Sequence, residues 1–155
     1  MKNSIKDEVL HNILTNRKAY HEFFIEEEYL AGIVLTGTEV KSLRDGKVNF
    51  MDAFCFEENG EVFVKNIHIS EYAQGTYLNH EPNRIRKLLL KKREIRKIQK
   101  KLDEKGFTLV PLQLFFSKKN LVKVHIGLAK GKKLYDKRDD SKAKDAKREI
   151  ERSIK

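Results

Sequence analysis

Apolar and polar positions alternate most regularly just before the C-terminal segment. Within residues 122–128 the apolar side chains lie two apart, and the positions between them are polar or glycine. A period of two is typical of a β-strand with one buried face. The apolar residues 108–116 precede it across the polar run 117–120, which predicts an antiparallel hairpin. Pro111 has no backbone N–H, so its strand should lie at a sheet edge or contain a bulge.

A second hairpin is predicted in the middle of the chain. Residues 53–56 and 61–64 are rich in phenylalanine and valine, and they flank the dipeptide Asn59-Gly60. Asn-Gly favours a tight hairpin turn, because both residues accept the positive φ angles that the turn requires. The second strand is expected to continue through Ile67 and Ile69.

The segment before that hairpin is less regular. Residues 21–25 and 32–35 are each predicted to form a strand. The acidic run 26–28 between them is predicted to be a solvated turn, because neighbouring residues of a strand would point to opposite faces. Thr38 is expected to cap a short helix over residues 39–44.

A longer helix is predicted after a polar loop over residues 70–83. Its apolar positions are seven, three and four residues apart, which places them on one helix face. Gly106 is expected to end the helix. Most other positions from Lys91 to Lys101 are basic, and they fit a solvated face or an RNA contact equally well. The apolar positions are Leu88, Ile95, Ile98 and Leu102.

Six short strands, two prolines and a surface helix indicate an OB-like antiparallel six-stranded β-barrel with flanking α-helices. Other small barrels also fit the pattern. We assign residues 1–131 to this domain, of which residues 1–18 fit a helix or the beginning of a strand. Residues 132–155 have too few large apolar side chains to offset a backbone entropy of about 1–2 kcal/mol per residue. They are therefore predicted to be a basic tail that is disordered alone and helical against a partner.

The charge of the chain narrows the choice of partner. Its 155 residues carry a formal net charge of +10, with a pI near 9.6. Such an excess attracts polyanions by counterion release, so nucleic acid is the expected partner. A membrane surface is not favoured, because acidic residues are mixed with the basic ones and no stretch approaches the roughly 20 apolar residues of a spanning helix. The single cysteine, Cys55, is expected to be a buried thiol in a cytoplasmic protein.

The residue inventory does not support an enzyme or a metal centre. The five histidines include no i,i+4 pair and no HExxH motif, and one cysteine cannot build a zinc site. The glycine- and lysine-containing run 127–132 has three residues between its glycines instead of four. Lys133 also occupies the place of the Ser or Thr that holds magnesium in a phosphate-binding loop. We therefore expect no catalytic residue, no cofactor and no metal.

Basic residues occur beside aromatic rings or at hairpin ends in three places. Cations that bind phosphates and flat rings that stack on bases are what RNA loops require. The first group is the segment 16–21, which puts two cations beside two rings. The second group comprises Tyr72, Tyr77, His80, Arg84, Arg86 and Lys87, and its two arginines are expected to bury no charge. The third comprises Lys118, Lys119, Lys130, Lys132 and Lys133.

Four segments of the chain together indicate a known family: residues 16–28 (NRKAYHEFFIEEE), 37–47 (GTEVKSLRDGK), 81–90 (EPNRIRKLLL) and 126–138 (IGLAKGKKLYDKR). In sequence and in order they resemble the SmpB family of SsrA-binding proteins. The resemblance implies a protein that binds the tRNA-like domain of transfer-messenger RNA (tmRNA). It further implies delivery of that RNA, with elongation factor Tu, to ribosomes stalled on truncated messages. Composition alone leaves an alternative, a ribosomal or ribosome-assembly protein with an OB-like core.

The resemblance implies two functional surfaces. The barrel is expected to bind RNA through Asn16, Arg17, Lys18, Tyr20, Lys41, Arg44, Tyr77, Arg84, Arg86, Lys87, Lys118, Lys119, Lys130, Lys132 and Lys133. The tail is expected to enter the vacant decoding centre and mRNA channel of the ribosome through Tyr135, Asp136, Lys137, Arg138, Ile150 and Ile154. Leu30 departs from the family pattern, which has Glu at this position, and we leave it out of the expected surface.

Overall fold

The computed structural model of the protein describes residues 8–75 and 78–132, which form nine strands and three helices. The strands are β1 (Val9–Thr15), β2 (Phe23–Ile33), β3 (Val48–Asn49), β4 (Phe54–Glu58), β5 (Glu61–Lys65), β6 (His68–Ile69), β7 (Arg86–Leu89), β8 (Phe107–Ser117) and β9 (Val122–Gly131). The helices are α1 (Arg17–Glu22), α2 (Gly37–Arg44) and α3 (Lys92–Leu102).

Six antiparallel strands form a closed ring in the order β4, β5, β7, β2, β9 and β8. The ring closes where Cys55 of β4 pairs with Leu109 of β8. β1 extends the sheet by pairing with the second half of β8, and β3 pairs with β6 in a separate ladder. This architecture confirms the predicted fold class of six antiparallel strands with flanking helices, although β7 was not among the predicted strands and two of those merge into β2.

Both predicted hairpins are present. β4 and β5 meet at Asn59 and Gly60, whose φ angles of 53° and 79° lie in the left-handed region that the turn needs. β8 and β9 pair along nearly their whole length, from Phe107 opposite Lys130 to Phe116 opposite Val122. The register shifts after Pro111, so the bulge expected from the missing N–H is confirmed.

The predictions for residues 21–35 were wrong in detail. Residues 21 and 22 end α1, and the acidic run 26–28 lies within the single long strand β2 instead of a turn. Pairing with β9 satisfies the backbone of this strand, and Glu26 and Glu27 remain exposed, so the carboxylates are not desolvated. A register irregularity between Ile25 and Glu27 accommodates the consecutive charges.

The boundaries of three elements also differ from the prediction, and the long helix is capped at its C-terminus by Asp103 instead of Gly106. α2 is capped by Thr36 instead of Thr38, in a capping box with Glu39. β5 ends at Lys65, because Asn66 has a φ of 67°, and β6 is a separate strand. The long helix starts at Lys92, whereas Leu88 lies in β7 with its side chain buried. A spacing of seven residues therefore linked a strand residue to a helix face by coincidence.

The main core fills the ring, and α3 contributes the fully buried Ile98 to it. Cys55 is buried there as expected, and burial raises the pKa of its thiol. A smaller cluster, which includes Ala19 of α1 and Leu112 of β8, lies apart from the main core and fixes α1 against the ring. Within residues 8–75 and 78–132, no helix is long and apolar enough to cross a bilayer.

Candidate nucleic-acid interface

Asn16 fastens the short helix α1 to the ring. Its side-chain oxygen accepts a hydrogen bond from the Ala19 N–H at 3.2 Å, which caps the helix. Its side-chain nitrogen donates to the Pro111 carbonyl at 2.7 Å, and its backbone N–H donates to the Leu112 carbonyl at 2.8 Å. The predicted RNA-binding residue Asn16 thus has both side-chain polar atoms engaged in positioning α1.

The positioned helix presents its cations and its ring to solvent. Arg17, Lys18 and Tyr20 are all exposed. Lys18 forms an ion pair with Asp52 at 2.8 Å, and their mutual hydrogen bond is the main cause that raises the pKa of Lys18 and lowers that of Asp52. Because both groups are well exposed, water screens this pair and it contributes little to stability. A shallow cavity of about 160 Å³ lies beside the pair and is lined in part by Phe54.

Two phenylalanines and a lysine form one rung across β2, β9 and β8. Phe24 pairs with Lys130, and Lys130 pairs with Phe107. The Lys130 ammonium lies 4.8 Å from the centre of the Phe107 ring, and that of Lys132 lies 5.1 Å from the centre of the Phe24 ring. Phe24 is half exposed. This combination of ammonium groups and accessible rings can bind phosphates and stack on bases.

The rung adjoins α1. The backbone N–H of Lys132 donates to the carbonyl of Glu22, the last residue of α1, at 2.8 Å. We use "α1 surface" for two sets of exposed or partly exposed groups on adjoining backbone: Arg17, Lys18 and Tyr20 of α1, and Phe24, Phe107, Lys130 and Lys132 of the rung and its end. Sequence analysis missed Phe24 and Phe107. The alternation of β2, with Phe24 between the less exposed Phe23 and Ile25, is the signal that could have found the first.

Arg84 and Arg86 both bind the carboxylate of Glu39 within the fold. Arg86 is fully buried, as is Glu39, and the two form an ion pair. Arg84 donates to the same carboxylate at 2.6 Å. Although burial favours the protonated acid, hydrogen bonds from Arg84, the Thr36 N–H and Arg86 outweigh it and lower the pKa of Glu39. The expectation that no charge is buried was wrong for Arg86, whereas Arg84 is partly exposed.

The Arg86 guanidinium also donates to three backbone carbonyls. They belong to Ile67 at 2.7 Å, Arg84 at 3.1 Å and Pro82 at 3.1 Å. The buried group therefore ties α2 to β7 and to the loops before it. No periodicity indicates such a network, since Glu39 is 47 residues from Arg86 in the chain.

The remaining described residues of the predicted surface are dispersed. Lys41 lies over the Tyr72 ring at 5.4 Å, and Arg44 is exposed at the end of α2. Lys87 pairs with Glu61 at 3.1 Å on β7. Lys118 and Lys119 are exposed in the β8–β9 turn. The structure thus places Arg17, Lys18 and Tyr20 on α1, Lys130 and Lys132 on the strand end that adjoins α1, and the others elsewhere.

Several predicted residues lie outside the described part of the chain. They are Tyr77, Lys133, Tyr135, Asp136, Lys137, Arg138, Ile150 and Ile154. Among the residues that are described, no group of three or more His, Cys, Asp or Glu side chains is arranged to hold a metal ion.

Comparison with known proteins identifies the family of the chain. A family model described as SmpB protein matches residues 13–155. The chain belongs to the SmpB family. This membership confirms the resemblance carried by the four sequence segments, and with it the prediction that the protein is not an enzyme. It favours this family over the alternative of a ribosomal or ribosome-assembly protein.

Individual SmpB relatives match over most of their length. An SsrA-binding protein of Geobacter sulfurreducens is 57% identical over 142 residues, which cover 92% of each chain. That of Carboxydothermus hydrogenoformans is also 57% identical over 142 residues, covering 92% of this chain and 95% of the relative. A solved structure described as "tmRNA-SmpB: a journey to the center of the bacterial ribosome" is 50% identical with a TM-score of 0.66. The match covers 78% of this chain and 85% of the chain in that structure.

Proposed function

We propose that this SmpB-family protein acts in trans-translation, by binding the tRNA-like domain of tmRNA and delivering it to stalled ribosomes. The observation that carries the proposal is the match of residues 13–155 to the family, together with likeness to a tmRNA–SmpB structure at 50% identity. Its site of action is then the cytoplasm, where ribosomes translate. Elongation factor Tu is the expected third partner, and it associates with the protein as part of the tmRNA complex.

The α1 surface is the proposed contact with the tRNA-like domain. Its cations can neutralise backbone phosphates, and Tyr20 and Phe24 offer rings on which unstacked bases can lie. Asn16 positions this surface because its side chain donates a hydrogen bond to the Pro111 carbonyl of β8 and so holds α1 on that strand. Burial and the nearby Glu28 carboxylate raise the pKa of Tyr20, so its hydroxyl is a neutral hydrogen-bond donor at physiological pH.

Residues 132–155 are proposed to work separately from residues 1–131, as a tail that occupies the vacant decoding centre and mRNA channel. The segment contains Tyr135, a ring that can stack on a base, and the charged motif Asp136-Lys137-Arg138. It also contains Ile150 and Ile154, which are four apart and would share one face of a helix. Ordering such a segment costs free energy that ribosomal contacts must offset, so docking would favour an empty channel.

Truncation after Lys132 tests this division, because Lys132 itself belongs to the α1 surface. The shortened chain keeps every strand and helix of the described fold, so it should bind free tmRNA within about tenfold of the full chain, or roughly 1.4 kcal/mol. It should fail to support peptide tagging on stalled ribosomes. Affinity is measured by filter binding, and tagging in a reconstituted translation reaction with a truncated message.

A full-length variant with Asp136→Ala, Lys137→Ala and Arg138→Ala is the matched control for loss of chain length, and it should bind free tmRNA while tagging poorly. Normal tagging by the truncated chain would exclude the proposed role of the tail. Sequencing the RNA that copurifies with the full chain tests the partner itself. Ribosomal RNA without tmRNA would overturn the proposed function.

A further inference from the structure

One histidine of β9 is buried on the outer face of the ring. Val124 and Ile126 belong to the main core, so His125 between them points away from that core. The His125 side chain is only 8% exposed, and its Nε2 atom is buried with no hydrogen-bond partner in the described chain. A buried polar atom without a partner costs free energy. His125 therefore requires an explanation other than the stability of the fold.

The carboxylate of Glu28 on β2 lies close to this histidine. Its Oε2 atom is 3.5 Å from Nε2 of His125, which is too far for a normal hydrogen bond but close enough for an ion pair. The Glu28 side chain is 24% exposed, and it forms no other ion pair within residues 8–75 and 78–132. Leu30 is the residue of β2 that lies opposite His125, and it offers no polar atom from its side chain. Protonation of His125 would convert the approach of Glu28 into a charge-assisted hydrogen bond.

Glu28 also lies near the α1 surface. After burial, the charge of Glu28 is the second cause that raises the pKa of Tyr20 on α1. A carboxylate without a cationic partner at this place repels the phosphates that the cations of the α1 surface would bind. The charge state of His125 therefore decides whether Glu28 opposes the binding of RNA.

The groups around His125 allow its charge to change. β8 presents the uncharged Gln113 opposite His125, and Lys123 lies two residues earlier on the same face of β9. α1, which packs against β2 and β8, carries the charged or titratable Arg17, Lys18, Tyr20, His21 and Glu22. Burial lowers the pKa of His125 and outweighs the attraction of the Glu28 carboxylate, so the ring is neutral at pH 7 in the free protein. Phosphates brought to the α1 surface would favour the protonated ring, because they add negative charge nearby.

We propose that His125 is a positioning residue for RNA binding, which takes up a proton when RNA binds and pairs with Glu28, so that this carboxylate no longer repels phosphates. The coupling is reciprocal, because RNA favours the proton by as much as the proton favours RNA. The affinity for RNA at the α1 surface should therefore rise as the pH falls. The inference rests on the proposed function for the identity of that RNA, the tRNA-like domain.

The test measures the affinity of the full chain for the isolated tRNA-like domain from about pH 8 to about pH 5.5, the range in which histidine titrates. The wild type should bind about fivefold more tightly at the acidic end. His125→Gln cannot take up the proton, so it should lack this rise. Glu28→Gln removes the repulsion at every pH, so it should bind at about pH 8 as tightly as the wild type does in acid. His11→Gln, which changes an exposed histidine of β1, is the matched control and should keep the wild-type profile.

NMR titration of the His125 ring gives a second measurement, which a purely structural role would not change. In the free protein, Glu28→Gln should lower the pKa of His125, because the attracting charge is removed. Binding of the tRNA-like domain to the wild type should raise that pKa. This last comparison needs no substitution, so it decides the matter even where a variant folds poorly.

Two results would overturn the inference and leave the proposed function in place. One is a pH profile of His125→Gln that matches that of the wild type, and the other is a pKa of His125 that RNA does not change. A wild type that fails to bind the tRNA-like domain at every pH would overturn the proposed function together with this inference.

Discussion

Replacing Arg86 by alanine should lower the stability of the protein without a direct effect on its affinity for RNA. The substitution removes a guanidinium that is fully buried and that forms four bonds, one to Glu39 and three to backbone carbonyls. Glu39, which is also fully buried, would then keep only Arg84 as a charged partner. The three carbonyls would lose a donor in a place that water cannot easily reach.

The expected cost follows from these losses. Removing one partner of a buried ion pair costs about 3–5 kcal/mol when the remaining charge is left without compensation. Because Glu39 keeps Arg84, we expect the lower end of this range. Domains of this size have total stabilities of roughly 5–15 kcal/mol. The melting temperature of Arg86→Ala should therefore fall by about 10 °C or more. Arg84→Ala should cost less, about 1–2 kcal/mol, since Arg84 is part-exposed and Glu39 keeps the bond to Arg86.

Thermal and urea unfolding of both variants measure these costs, and filter binding below the transition measures RNA affinity. Combining Arg86→Ala with Glu39→Ala should cost less than the sum of the two single changes, because the charge left unpaired by either one is then absent. If Arg86→Ala has the melting temperature of the wild type but binds RNA poorly, the structural role of Arg86 is refuted and a direct RNA contact is supported.

Three further outcomes are expected. Phe24→Ala should weaken binding of the tRNA-like domain by about 1–3 kcal/mol, because a base loses its stacking partner. Leu10→Ala removes another exposed apolar side chain and should leave this affinity unchanged. Filter binding measures both affinities. The log–log slope of tmRNA affinity against salt should be about −4 for some six phosphate contacts, and a slope near zero would exclude an electrostatic interface. Because the pKa of Glu39 is lowered from 4.5 in the folded state, the unfolded chain binds its proton first as pH falls. The stability that ionised Glu39 contributes should be complete above pH 4.5 and should decline as the pH falls below it. The urea midpoint of Glu39→Gln should therefore fall less on acidification than that of the wild type.

Short-range patterns predicted the hairpins because their causes are local. Asn59-Gly60 accepts the positive φ angles of its turn whatever surrounds it, and the missing N–H of Pro111 disturbs any antiparallel ladder. The α1 surface was predicted in part for a similar reason, since Arg17, Lys18 and Tyr20 are neighbours in sequence. The boundary errors at residues 21–35 arose where β9, a strand about 100 positions away, supplies the backbone partners that keep the acidic run 26–28 extended.

Local sequence signals were enough to predict the turns, the basic character of the chain and, through four ordered segments, its family. Which cations face solvent depends on the packing of elements that are distant in the chain. Arg86 and Arg96 have the same side chain ten residues apart, yet Arg86 is buried against Glu39 and Arg96 is exposed on α3. The reason is physical: a buried charge requires a partner, and Glu39 reaches Arg86 only because the ring brings α2 and β7 together.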